Sequence, residues 1–215
     1  MIDIRFCDID AQRQLADLDL RLRRLPLWRQ RNIRSLTNAI DRLQSIAAFE
    51  LLQEMLIENY GIQIDSEFSY NEYGKPSLSA NPEIHFSMSH CPKAAMVIIA
   101  DTPVGCDVEP IPDAVPREIV DYCFSDNEKC ALTESAQPEI EFTKIWTRKE
   151  ALFKLDNSLN LENIDTTAFA CLDSELIFNS NDAAKDSAYY LRSINRGTHI
   201  ATTASTIRKI EKAKL

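Results

Sequence analysis

Residues 2–9 alternate apolar and polar side chains, the pattern of a half-buried strand. The Arg-rich stretch 21–36 reads as helix, interrupted or restarted near Pro26. Asn38–Tyr60 is the clearest helix. Ile40, Leu43, Ala47, Leu51 and Met55 recur every three or four residues, and Gly61 stands where a C-terminal cap belongs. Ile62–Tyr70 alternates and predicts a strand, followed by a turn at Asn71-Glu-Tyr-Gly-Lys-Pro76. Glu83–Ser89 places Ile84, Phe86 and Met88 opposite His85, Ser87 and Ser89. Ala94–Ala100 is unbroken apolar sequence and reads as a more deeply buried strand. Thr102-Pro-Val-Gly105 then turns the chain into a strand over Cys106–Ile111.

The period next lengthens to that of helices. Pro116–Cys123 is one. Ser125 and Glu128 form a capping box at the start of a second, and Pro138 opens a third that runs to about Lys154. Strands return at Thr166–Leu172, Glu175–Phe178, Ala188–Ile194 and His199–Ala204, with a hairpin turn at Asn195-Arg-Gly197. Helices plus a small, mainly antiparallel sheet are thus encountered twice. The class is α+β, in two similar-sized halves that join near Pro103. No internal repeat or low-complexity segment is evident.

Charge adds an asymmetry. The 215 residues carry a formal net charge of -9, which disfavours a general nucleic-acid binder. Yet residues 21–42 hold Arg21, Arg23, Arg24, Arg29, Arg31, Arg34 and Arg42 against Asp41 alone, whereas 101–141 is strongly acidic. Such runs serve either ligands or solvated helix faces. Only 4 glycines are present, so a Gly-rich phosphate cradle is not the working device. The six cysteines have irregular spacing and no C-x-x-C, which suits reduced thiols better than disulfides or zinc. There is no signal-peptide pattern, and the longest apolar run is far too short to span a bilayer. The expectation is a cytoplasmic protein without a membrane or nucleic-acid partner.

Four places could carry chemistry. In Asp107-Val-Glu109 the two carboxylates share one strand face, where they repel unless a cation or proton intervenes. Oxygen-only ligands of that kind suit Mg²⁺ or Mn²⁺. Trp146, Glu150 and Lys154 share one helix face, with Arg148 and Lys149 nearby; a surface ion pair is the plainer reading of Glu150 and Lys154. Gly74-Lys75-Pro76 is a turn and not a P-loop, since Pro76 replaces Ser or Thr. Phe86-Ser-Met-Ser-His90 ends a strand on a histidine that belongs to no visible triad.

Taken in order, Gly74-Lys-Pro76, Phe86-x-x-Ser89-His90, Gly105-x-Asp107-x-Glu109, Phe124-Ser-x-x-Glu128 and Trp146-x-x-Lys149-Glu150-Ala-x-x-Lys154 resemble the 4'-phosphopantetheinyl transferase superfamily. The length and early motifs look like its surfactin-synthetase-activating (Sfp-like) branch. The resemblance spans roughly residues 40–154. It implies a pseudo-dimer of two α+β halves, 1–103 on the coenzyme A side and 104–215 with the metal site and catalytic helix. It also implies a monomer that moves 4'-phosphopantetheine from coenzyme A to a serine of an apo acyl or peptidyl carrier protein.

By the same resemblance, Asp107, Glu109 and Glu150 hold Mg²⁺, with Mn²⁺ as an alternative. Lys154 acts on the departing adenosine bisphosphate, and Lys149 adds positive charge near the phosphates. Gly74, Lys75 and Pro76 line the adenine side. Ser89 and His90 meet the phosphates, with Arg29 and Arg31 beside them. Gln44 stands where relatives often carry Arg, so Arg42 is expected to substitute. The serine proton goes to Glu150 or to a metal-ordered water. Ile111–Phe124 is either the carrier-docking surface or helix core. A silent coenzyme A-binding module and a metal-dependent phosphodiesterase or nuclease are the alternative functions.

Overall fold

Residues 2–168, 170–172, 175–179, 188–206 and 212–214 are described by a computed structural model. The chain opens with β1 (Ile2–Asp8), then the short helices α1 (Ala11–Gln14), α2 (Leu18–Arg24) and α3 (Leu27–Arg34), and then the long α4 (Ala39–Tyr60). The ribbon β2 (Ser69–Tyr70) and β3 (Pro76–Ser77) leads into β4 (His85–Cys91), β5 (Ala94–Ala100) and β6 (Val104–Pro110). Helices α5 (Arg117–Cys123), α6 (Asp126–Glu134) and α7 (Pro138–Leu155) follow. The chain ends in β7 (Ala170–Leu172), β8 (Glu175–Asn179), β9 (Ala188–Asn195), β10 (His199–Ser205) and β11 (Lys212–Lys214). The class is α+β, as expected.

Two sheets organise these elements. The first has the order β11-β1-β5-β4 and the second β6-β10-β9-β8-β7. All described pairings are antiparallel except β1 with β11, which is parallel. Because β11 joins β1, the first sheet also takes a strand from beyond residue 104.

The unbroken apolar sequence of β5 is explained by burial on both faces. Val97 and Ile99 face a core built with Trp28, Phe49, Leu52 and Phe86. Met96 and Ile98 face the other way, toward Val104, Cys106 and Val108 of β6. The two sheets therefore share an apolar seam. Across it, β4 and β6 are linked by side chains: Ser87 Oγ accepts the Cys106 N–H at 3.1 Å, and Ser89 Oγ accepts the Val108 N–H at 3.2 Å.

Helix ends obey their local rules. Asn38 caps α4, and Gly61 closes it in the left-handed region at φ 68°. Ser125 and Glu128 form the expected capping box of α6. Pro26 separates α2 from α3, since it cannot continue the helix.

Two expected strands are different. Residues 62–68 form a loop, and only Ser69–Tyr70 pairs. Ile64 and Phe68 are buried there, while the Ile64 N–H donates to Gln53 Oε1, so the alternation anchors a loop to α4 without a strand partner. The strand expected from Thr166 begins at Ala170, because Glu128 captures both the N–H and hydroxyl of Thr166. Cys7, Cys91, Cys106, Cys123 and Cys130 are free thiols; the Cys171 side chain lies outside the described set. No described helix is long and apolar enough to cross a membrane.

Candidate active site

The seam places motif residues from three parts of the chain together. Asp107 is buried on β6, Ser89 faces it from β4, and Lys154 reaches it from the last turn of α7. Lys154 Nζ donates to Asp107 Oδ1 at 2.6 Å, and Ser89 Oγ donates to the same oxygen at 2.8 Å. Burial acts to lower the Lys154 pKa, but Asp107 and its neighbours outweigh it and raise it. Lys154 is thereby held as a cation.

Two more carboxylates crowd this group. Burial first, and then Asp107, push Glu109 up to about 7. Burial and Asp107 raise Glu150 as well. Asp107 Oδ2 is buried without a hydrogen-bond partner. Oxygen donors that repel one another, with one acceptor orphaned, fit a hard divalent cation such as Mg²⁺. Among the described residues, no three His, Cys, Asp or Glu side chains form a metal-binding group. One Asp107 oxygen is committed to Lys154 instead.

A stability prediction follows from the crowding. In EDTA at pH 8, Glu109→Gln is expected to raise the melting temperature by a few degrees, reflecting about 1–3 kcal/mol. The sign is set by a folded-state pKa above the unfolded one. Wild type loses this stability as pH rises from the ordinary glutamate range through about 7, so the gain is largest above pH 7 and shrinks toward pH 5. Thermal melts of both proteins across pH 5–8 check it; a gain that does not change with pH would contradict the crowding.

A cavity of about 290 Å³ opens beside the cluster, lined by Gly74, Lys75, Pro76, Ser87, Glu150, Phe153 and Lys154 among others. The 71–76 turn is thus brought against α7. Gly74 permits it with φ 80°, Asn71 Nδ2 donates to Asn157 Oδ1 at 2.7 Å, and Tyr73 packs edge-on to Phe153. Lys75 turns inward and donates to the Val104 carbonyl at 3.0 Å, and its burial lowers its pKa. A larger cavity of about 680 Å³ lies between the α2–α3 junction and α4 and contains none of these residues.

The remaining expected site residues divide. His90 Nδ1 lies 3.1 Å from Gln44 Oε1, and burial holds its pKa below the ordinary histidine value. Arg29 donates to the carbonyl and hydroxyl of Ser45 one residue further along α4, so it stays near His90. Arg31 is exposed and pairs with Glu67. Arg42 donates to the carbonyls of Leu36 and Arg34, which ties it to the α3–α4 loop; Gln44, not Arg42, meets His90.

Lys149 requires a correction. It is fully buried, paired with Glu128 at 2.9 Å, and donates to the carbonyls of Leu161 and Ile164. On a helix it points about 100° away from Glu150, into the α6–α7 core. It cannot add charge beside a phosphate in the cavity. Trp146 likewise packs against the Phe124–Phe142–Ile145 cluster. Neither the Asn71–Asn157 contact nor the burial of Glu128 is legible from local sequence. The only hint was that the capping box and the Lys149-Glu150 pair lie on consecutive helices.

Residues 103–204, which carry the acidic strand and α7, match the family model of the 4'-phosphopantetheinyl transferase superfamily. Over that part the chain is similar to members of that superfamily. Among its relatives, the 4'-phosphopantetheinyl transferase gsp of Aneurinibacillus migulanus is 36% identical over 112 residues, 48% of this chain and 46% of the relative. AcpT of Salmonella typhi is 38% identical over 93 residues, covering 41% and 48%. Sfp of Bacillus subtilis is 29% identical over 107 residues, covering 48% and 47%. The chain spans about half the length of these transferases. The matched segment holds Asp107, Glu109, Glu150 and Lys154, while Ser89 and the 71–76 turn come from residues before it.

Proposed function

We propose that this chain transfers 4'-phosphopantetheine from coenzyme A to a serine of an apo acyl or peptidyl carrier protein, releasing adenosine 3',5'-bisphosphate. The observation that carries the reading is the Lys154–Asp107–Ser89 group, with Glu109 and Glu150 nearby, beside a cavity that Lys154 and Glu150 line together with Tyr73, Gly74, Lys75 and Pro76. Two α+β halves meeting near residues 103–104 would then form a pseudo-dimer, with coenzyme A between them.

Each residue has a chemical task in this scheme. Gly74 and Pro76 border the nucleotide end, and His90 and Arg29 face its phosphates. The serine oxygen attacks the β-phosphorus of the pyrophosphate. As the new P–O bond forms, the bridging P–O bond breaks and its electron pair leaves on the adenosine bisphosphate. Lys154, kept protonated by Asp107, stabilises the charge on that departing oxygen. The serine proton goes to Glu150 or to a water ordered beside it. Asp107, Glu109 and Glu150 would hold Mg²⁺, which supplies Lewis-acid neutralisation of the pyrophosphate.

The carrier needs a surface near this cavity. On α5, Ile119 and Val120 pack inward while Tyr122 is 79% exposed, which makes Tyr122 the candidate docking residue. The proposal is tested by incubating the protein with coenzyme A, Mg²⁺ and a panel of apo carriers. The expected product is a carrier heavier by one phosphopantetheine on mass spectrometry. A folded protein that modifies none of them would overturn the transferase reading. Calorimetric binding of coenzyme A without transfer would point to the silent binding module instead.

A further inference from the structure

Lys149 and Glu128 form an ion pair with both side chains at 0% exposure, at the junction of three elements. Glu128 stands at the start of α6, where its carboxylate accepts the Ser125 N–H and both the N–H and hydroxyl of Thr166. Lys149 stands on α7, donates to the carbonyls of Leu161 and Ile164, and lies over the Phe124 ring at 5.9 Å. The pair thus joins α6, α7 and the 161–166 loop through one charged contact and several hydrogen bonds. Such a buried group is satisfied in one arrangement only.

Its place on α7 gives it a consequence for the reaction centre. Ala151 is two residues on, so it lies on the opposite side of the helix from Lys149. There the backbone of α7 touches Gly105 of β6, with Ala151 O only 2.0 Å and Leu155 N 2.6 Å from where a Cβ would stand. The helix is held from both sides. Glu150 falls between the two contacts, and Lys154 lies one turn further along the same face. A roll of α7 about its axis would turn both away from Asp107.

We propose that Lys149 and Glu128 are positioning residues that fix the roll of α7 and so aim Glu150 and Lys154 at the Asp107–Glu109 strand. The inference rests on the transferase reading for its kinetic consequence and on geometry alone for its metal readout. Removing one partner would strand a buried charge and confuse position with stability. The informative variant is therefore the double substitution Glu128→Gln/Lys149→Met, which discharges both groups and preserves their volume.

In that variant, kcat is expected to fall at least about tenfold with KM for coenzyme A unchanged. Mn²⁺ affinity, measured by calorimetry with Mn²⁺ alone, is expected to weaken by about tenfold, the usual size of effect for groups that orient ligands. Thr166→Val, which removes a single hydroxyl from Glu128, serves as the mild second variant. It should lower kcat about threefold without moving KM. A double variant with wild-type kcat and wild-type Mn²⁺ affinity would show that the pair is merely structural. If the double variant does not fold, an unchanged kcat and Mn²⁺ affinity in Thr166→Val overturns the proposal. Should the wild type transfer nothing, the Mn²⁺ comparison still decides the positioning role independently of the transferase reading.

Discussion

Glu150→Ala is expected to lower phosphopantetheine transfer by about 10²–10⁴-fold while leaving the protein folded. Glu150 lines the cavity, and burial and the charge of Asp107 raise its carboxyl pKa. Alanine removes a proposed proton acceptor and one of three proposed oxygen ligands together. It also removes a repelling charge, so the melting temperature should stay level or rise. Mass spectrometry of the carrier and thermal melting by circular dichroism measure the two effects. Turnover within a few-fold of wild type would remove Glu150 from its proposed role. Glu150→Gln sharpens the comparison, because it retains the volume but neither the charge nor the basicity.

Gly105→Ala should be as damaging for a different reason. Residue 105 lies two positions before Asp107 on β6, against the backbone of α7. A Cβ there would come within 2.0 Å of the Ala151 carbonyl oxygen and 2.6 Å of the Leu155 nitrogen. Both obstacles are helix backbone, which cannot yield by changing a rotamer. The helix and strand must separate, and Lys154 then withdraws from Asp107. We expect a loss of about 3 kcal/mol or more, a melting temperature lower by about 10 °C, and transfer reduced in the fraction that remains folded. A wild-type melting temperature would mean that α7 does not approach β6 this closely. Gly61→Ala offers a contrast, since that glycine is required for its positive φ and not for space.

Most of the secondary structure was legible because it is set by neighbours in the chain. Ile40, Leu43, Ala47, Leu51 and Met55 needed only helical spacing to announce α4, and Gly61 its end. Ala94–Ala100 announced a doubly buried strand. The expectation failed at Ile62–Tyr70, where the same alternation fixes a loop through Gln53 and the core. Alternation reports that every second side chain is buried. It does not report whether another strand lies alongside.

The candidate site was legible by type but not by partnership. Asp107 and Glu109 could be placed on one face, and Glu150 with Lys154 on another, by period alone. That Lys154 meets Asp107, with Ser89 between the sheets, depends on where α7 crosses β6. Local sequence carries no such information. The clearest case is Lys149-Glu150. They are adjacent in sequence and both charged, and the resemblance implied that both meet the same ligand. Helical geometry turns them about 100° apart, so Glu150 faces the acidic strand and Lys149 is buried against Glu128. The Arg-rich segment teaches the same lesson: Arg21, Arg31 and Arg42 answer to Glu50, Glu67 and backbone carbonyls, and only Arg29 is held near His90. By itself, the sequence determined which elements form and which residue types could do the chemistry, because propensity, capping and period act within a few residues. The tertiary structure alone decided which charges face one another, because that is set by packing across the seam between residues far apart in the chain.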